Sequence, residues 1–150
     1  MTVITLGTFD ILHAGHINLL KKCRELSDRV VVGLNSDEFI EKYKGKPPVM
    51  SYEERKEMIE LTGLVDLVVS NSQPDGTIKT LLSNIQPDLI VIGSDWARKD
   101  YIGQLGVDWD YLDSKKIGIC YVTYTSNIST TEIKKRISAS NSYSNNTIYK

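Results

Sequence analysis

Apolar and polar positions alternate between two rhythms along this chain. Val3–Leu6 is a short apolar run of strand length, and it is followed by a stretch with Ile17, Leu20, Cys23 and, less regularly, Leu19 and Leu26 on one side. That spacing predicts a helix from about Gly15 to Leu26. Arg29–Leu34 contains the continuous triplet Val30-Val31-Val32, the pattern of a strand covered on both faces, as parallel sheets require. Asn35-Ser36-Asp37 is positioned to cap a short helix through Phe39 and Tyr43, and Ser51-Tyr52-Glu53-Glu54 has capping-box spacing ahead of Met58, Ile59 and Leu61. Strands are predicted at Leu67–Val69, Leu89–Ile92 and Ile119–Val122, with helices at Thr77–Ile85 and Thr130–Ile137.

This alternation implies right-handed βαβ crossovers and a doubly wound, parallel five-stranded sheet in a single α/β domain. Residues 1–137 form that domain. Asp100–Lys116, with Tyr101, Trp109, Tyr111 and Leu112 among glycines and charges, reads as an insertion carrying one short helix. The Ser- and Asn-rich stretch 138–150 has no core pattern and is expected to be poorly ordered. Ligands of doubly wound sheets bind beyond the carboxyl ends of the strands. Three unusual segments fall there: Gly7–His16, Gly93–Trp96 and Thr125–Thr131.

Composition narrows the function classes. The 150 residues hold 41% hydrophobic and 25% charged positions with a net charge of −1, which disfavours extended nucleic-acid binding. No apolar run approaches the ~20 residues of a membrane span, and the initiator methionine leads straight into the first strand pattern. Cys23 and Cys120 lie inside apolar patterns without CxxC spacing, so buried thiols in a reducing cytoplasm are expected.

The densest chemistry is Gly7-Thr8-Phe9-Asp10 followed, after two residues, by His13-Ala14-Gly15-His16. One histidine at a helix start is ordinarily a cap or a packed ring. Two around a glycine, where free N–H groups and the helix dipole already attract anions, suit a phosphate that gains charge during a reaction. Gly7, Thr8 and Phe9 read either as a strand-ending turn or as backbone donors to nucleotide phosphates. Neither GxxxxGK[ST] nor GxGxxG is present, which excludes a Walker loop and a dinucleotide fingerprint. No triad serine or zinc-spaced partner accompanies the histidines.

Further candidates surround that loop. Lys44 and Lys46 flank Gly45 ahead of Pro47-Pro48, and a mobile segment there could swing an ammonium onto a triphosphate, Lys44 foremost; Lys42 reads as solvated. Arg55 reads as a surface guanidinium or a second phosphate clamp. Ser129-Thr130-Thr131 caps the last helix, which is compatible with phosphate binding. Asp95 either closes a turn or holds a base, a ribose or a metal-bound water, and Trp96 either packs or stacks.

The segments Gly7–His16, Ser51–Lys56, Val65-Asp66, Gly93–Trp96 and Ile128–Thr131 together resemble the nucleotidyltransferases with the HxGH signature, and among them the cytidylyltransferases. The GTFDxLHxGH start, the SYExRK helix and the G-x-D-W segment are most similar to the glycerol-3-phosphate cytidylyltransferases. The resemblance covers residues 2–137 and implies a Rossmann-like nucleotidyltransferase fold. It also implies transfer of CMP from CTP to a small phosphorylated alcohol with release of pyrophosphate, magnesium accompanying the triphosphate, and a homodimer. By resemblance His13 and His16 stabilise the α-phosphate, Lys44 and Ser129 or Thr130 hold phosphates, and Gly15, Thr131 and Asp95 lie near the nucleotide. Asp10, Lys46, Arg55 and Trp96 fall near substrate or phosphate. No carboxylate cluster marks a dedicated metal site. Arginines that the resemblance implies ahead of Val65-Asp66 and ahead of the final motif are replaced by Gly63 and Tyr124. The Asn35-Ser36-Asp37 and Lys44-Gly45 features are shared with the heptose-1-phosphate adenylyltransferase branch, which uses ATP. A nucleotide-binding module without turnover is the alternative outside enzymes.

Overall fold

A computed structural model describes residues 1–123, 125 and 127–144. Five parallel strands form one sheet: β1 (Thr2–Gly7), β2 (Arg29–Asn35), β3 (Leu67–Asn71), β4 (Leu89–Gly93) and β5 (Gly118–Val122). Their order is β3-β2-β1-β4-β5, so the winding reverses between β1 and β4, where this architecture opens a crevice. In register, Gly7 stands beside Leu34, and Gly93 beside Val122.

The continuous valines of β2 behave as fully covered positions: Val30, Val31, Val32 and Leu34 are buried. Val31 joins Ile4, Leu6, Ile90 and Ile92 in the cluster on one face, while Val30 and Val32 pack on the other with Val3, Leu20 and Cys23. The second face is covered by α1 (Ala14–Leu26) and α3 (Tyr52–Leu61), and the first by α4 (Lys79–Ile85) with the segments that follow β4. α2 (Asp37–Lys44) starts at a Ser36 cap and stops at Gly45, which takes the left-handed conformation at φ 77°. Ser51 and Glu54 make the expected reciprocal capping box on α3.

Two expectations are corrected. The segment 100–116 holds two short helices, α5 (Tyr101–Gln104) and α6 (Trp109–Ser114), after a 3₁₀ turn at Ser94–Arg98. Asp100 and Asp108 cap them, and Tyr101, Leu105 and Leu112 anchor them in the core. The last helix, α7, runs Thr130–Ser144 rather than stopping at Ile137, so part of the supposed tail is helical. Tyr124 lies outside the described residues. Gly63 follows the end of α3 at φ 71°, with open space where a side chain would begin, so its glycine serves the helix exit. Both cysteines are free, Cys23 buried and Cys120 partly so. Among the described residues no helix is long and apolar enough to cross a membrane.

Candidate active site

The loop from β1 to α1 is held in a conformation that its residues do not favour alone. Phe9 and Ile11 both sit at φ 51°, in the left-handed region that side chains with a Cβ disfavour. Several contacts impose it. The Phe9 ring is buried against Leu20, Val32 and Ile59. The Asp10 carboxylate accepts from the backbone N–H of Val49 (2.7 Å) and Met50 (2.9 Å), and the Asp10 carbonyl accepts from the Thr130 hydroxyl. The Thr8 carbonyl accepts from Arg55 Nη1 at 2.8 Å.

The histidines emerge from this loop with defined tautomers. His13 is the N-cap of α1, its Nδ1 accepting from the Gly15 N–H at 3.1 Å. The His13 N–H in turn donates to Nδ1 of His16 at 3.2 Å, and the rings stack with centroids 3.7 Å apart. An Nδ1 that accepts cannot carry the proton of a neutral imidazole, so both rings present Nε2–H as a donor. Burial pushes the His16 pKa down to about 3, the neighbouring His13 adds to the fall, and Asp10 opposes it. Burial lowers His13 as well. The pair is therefore neutral at physiological pH, each ring offering one hydrogen-bond donor. Gly15 is required by the same packing, since a Cβ there would lie 2.9 Å from the His13 ring.

The three strand-end segments converge as expected. Gly7, Thr8, Phe9, His13, Gly15 and His16 line one cavity of about 290 Å³ together with Asp95, Trp96, Ser129 and Thr130. A neighbouring cavity of about 420 Å³ shares Thr8, Phe9, His16 and Thr130 with it and adds Asp10, Lys44, Lys46, Thr131 and Lys134. Lys44 is exposed, yet partial desolvation of its ammonium and the neighbouring Lys134 and Lys46 all lower its pKa, while Asp10 raises it. Three ammonium groups facing one cavity wall make a site that an anion stabilises.

Ser129 caps α7, accepting from the Glu132 N–H at 3.0 Å. Trp96 packs on Tyr101 (centroids 5.1 Å) under Lys99, and the same indole borders the cavity, so packing and lining coexist.

Two candidates change role. Arg55 is fully buried and is neither a surface group nor a phosphate clamp. Its guanidinium donates to the carbonyls of Met50 (3.0 Å), Thr8 (2.8 Å) and Asn35 (2.9 Å) and to Asp37 (2.6 Å), tying α3 to the strand ends. Asp10 is also buried, and each of its carboxylate oxygens accepts a backbone N–H, so it fixes the turn at Val49-Met50 while bordering the cavity that the lysines line.

Lys134 went unforeseen. It lies four residues after Thr130, one turn along α7, and that spacing was the available signal. Asn35 and Asn71 were missed too: Asn71 Nδ2 donates to Asn35 Oδ1 (2.9 Å), and Asn35 Nδ2 to Thr8 Oγ1 (3.1 Å).

No group of three or more His, Cys, Asp or Glu able to hold a metal occurs among the described residues.

Comparison with known proteins agrees with this geometry. The family model described as cytidylyltransferase-like matches residues 4–136. The chain is 37% identical over 135 residues to the glycerol-3-phosphate cytidylyltransferase of Staphylococcus aureus, covering 90% of this chain and 93% of that protein. It is also 37% identical over 136 residues to the bifunctional protein HldE of Pseudomonas savastanoi, of which it spans only 27%. Among solved structures, the lipopolysaccharide core biosynthesis protein of Thermoplasma volcanium superposes with a TM-score of 0.62 at 28% identity, covering 83% of this chain and 98% of that one. Paired neutral imidazoles beside a cationic cavity, on a sheet of this topology and with these relatives, place the chain in the cytidylyltransferase-like family as a nucleotidyltransferase.

Proposed function

We propose that the chain transfers the cytidylyl group of CTP to a small phosphorylated alcohol such as glycerol 3-phosphate and releases pyrophosphate. An oxygen of the acceptor's phosphate forms a bond to the α-phosphorus, and the bond from that phosphorus to the bridging oxygen breaks in line, pyrophosphate leaving with the electron pair. The nucleophile is already an anion, so no general base is needed. What the protein supplies is position and charge stabilisation.

The observation that carries this reading is the pair of Nε2–H donors on His13 and His16, fixed by backbone N–H groups on both Nδ1 atoms. Neutral donors aimed at an α-phosphate strengthen their hydrogen bonds as its oxygens gain charge. Lys44, Lys46 and Lys134 line the adjoining cavity and neutralise the departing pyrophosphate. Backbone at Gly7–Phe9, with Gly15, Asp95 and the Ser129–Thr131 helix start, surrounds the nucleotide. Magnesium belongs to this reading as part of the MgCTP substrate. The free cysteines support a cytoplasmic setting, and the exposed apolar side chains Met58, Leu61 and Leu67 offer surface for a homodimer.

Pyrophosphate release measured with glycerol 3-phosphate and either CTP or ATP tests the reading. CTP is expected to support turnover and ATP not. Release driven by ATP alone, or tight CTP binding without release for any acceptor, overturns it.

A further inference from the structure

The cavity of the histidines and the cavity of the lysines meet along a seam. Among the described residues, Thr8, Phe9, His16 and Thr130 line both. Phe9 has no polar side chain, and the Thr130 hydroxyl gives its proton to the Asp10 carbonyl. His16 Nε2–H is therefore one side-chain donor at the seam. Thr8 is another only where its hydroxyl proton faces the cavities, and that direction is set from two strands away. β2 and β3 end side by side on Asn35 and Asn71, which are paired in register and only 8% and 4% exposed. Thr8 follows the last residue of β1, Gly7, which stands beside Leu34, so it completes the row. Asn71 Nδ2 donates to Asn35 Oδ1 at 2.9 Å, and Asn35 Nδ2 donates to Thr8 Oγ1 at 3.1 Å. Arg55 Nη1 binds the carbonyls of both Thr8 and Asn35 and so holds the row in place. Neither asparagine lines the two cavities that meet at the seam; both border only a smaller one beside them.

We infer that Asn71 and Asn35 are positioning residues for the transfer: they form a one-way relay that leaves the Thr8 O–H facing the seam, as a donor to the transferring phosphate beside His16. This rests on the nucleotidyl-transfer reading above, which puts the phosphorus whose bonds change between the nucleotide and the departing pyrophosphate. An amide oxygen only accepts and an amide nitrogen only donates. With Asn35 Oδ1 taken by Asn71, the atom that Asn35 turns to Thr8 must be Nδ2. The Thr8 oxygen then accepts, and its own proton is left for a ligand. Turned over, the Asn35 amide would offer Oδ1 instead, draw that proton away and leave a lone pair facing an anion. The two states share every heavy-atom position, yet one attracts the phosphate and the other repels it. A donor oriented before the reaction needs no reorganisation during it, and it counts most where charge grows. Asn71 thus acts on the chemistry through Thr8, although it stands at the end of β3.

Asn71→Asp reverses the relay, because a carboxylate only accepts: Asn35 must then turn Nδ2 to it and Oδ1 to Thr8. Pyrophosphate release with CTP and glycerol 3-phosphate is measured for the wild type, Asn71→Asp, Thr8→Val and the double variant, with Thr8→Ser as the change that keeps the hydroxyl. Thr8→Val is expected to lower kcat by ~10²-fold, as for one transition-state donor, and Thr8→Ser by no more than about threefold. Asn71→Asp should lower kcat by at least ~10-fold alone but by less than about twofold in the Thr8→Val background, since the two residues act as one unit. An equal loss in both backgrounds would mean added charge, a direct contact or a weakened fold, and it overturns the inference. So does a wild-type kcat in either single variant. Should Asn71→Asp fail to fold, Asn35→Asp replaces it, because a carboxylate there accepts from Asn71 and Thr8 alike; the same dependence on Thr8 is expected. A neutron structure of the wild type reads the direction without any variant. A deuteron on Asn35 Nδ2, between Asn35 and Thr8, supports the relay, and one on Thr8 Oγ1 pointing at Asn35 overturns it. If the wild type turns over no nucleotide, the transfer reading fails while the relay is still decided, by that deuteron and by calorimetric Kd values for CTP across the same four proteins. Kd should then rise ~10-fold with Asn71→Asp only where Thr8 is present, and equal rises in both backgrounds overturn the relay.

Discussion

The backbone N–H of His13 donates to Nδ1 of His16, so the first histidine of the pair sets the tautomer of the second. Each imidazole does two jobs with its two nitrogens: Nδ1 ends a helix cap, and Nε2–H is left for a ligand. The structural reading of these residues and the chemical one are therefore compatible, because they divide by atom.

That division can be separated by substitution. Asparagine at position 16 can place its side-chain oxygen near the Nδ1 site but has nothing at Nε2. His16→Asn is expected to lower kcat by ~10²-fold or more, as for loss of one transition-state donor, while the Tm stays within a few degrees of wild type. An unchanged kcat would remove His16 from the mechanism, and a collapse in Tm would show that the cap needs the ring itself.

Acid should weaken the fold through the same residues. In the unfolded chain an imidazole takes up a proton below about pH 6.5, whereas burial holds His16 neutral down to about 3 and also lowers His13. Between those limits the unfolded state binds more protons, so stability is complete above ~6.5 and declines as pH falls, by about 1.4 kcal/mol per pH unit for each proton. Asp66 and Asp75 have lowered pKa values as well, but their window opens only below about 4. Urea midpoints at about pH 7.5 and about pH 5.5 isolate the histidines, and the difference should shrink in His16→Asn. A difference of the same size in that variant would assign the effect elsewhere.

The strands and the converging loops were legible in the sequence because each rests on a local pattern. Val30-Val31-Val32 has the β-branched, continuous pattern of a covered strand, and the Ser51–Glu54 capping box reports its own geometry. The role of Arg55 was not legible. An arginine one turn into a polar helix start looks solvated, and only the three carbonyls it meets, from Thr8, Asn35 and Met50, show why a charge is buried there. The same holds for Tyr101, whose burial depends on how α5 folds back over β1 and β4. Helix α7 was cut short at Ile137 because Ser and Asn dominate the sequence beyond it, and propensity is a weak guide at a helix end.

Arg55→Met should act on the fold first. The substitution keeps bulk but leaves those three carbonyls without their charged donor, at about 1–3 kcal/mol for each group left unpaired. A loss of ~3–5 kcal/mol in urea unfolding is expected, large against the stability of a domain this size. A variant of wild-type stability with a raised KM for CTP would instead return Arg55 to the phosphates.

Lys134 should behave in the opposite way. Its ammonium lies close enough to Lys44 to lower that group's pKa, and Lys46 adds to the same repulsion. Like charges held together cost stability until an anion occupies the cavity they line. Lys134→Ala therefore relieves the free protein and weakens its anion complex: the urea midpoint stays level or rises, while KM for CTP and the inhibition constant of pyrophosphate each increase roughly tenfold, about 1.4 kcal/mol. The rise in Tm that pyrophosphate gives the wild type should shrink accordingly. Lys135 is the control, because it is exposed on the same helix and lines neither cavity. Its alanine variant should leave all three readings in place. If Lys134→Ala and Lys135→Ala match, the effect is one of net charge, and the cavity beside His16 is not where the pyrophosphate leaves.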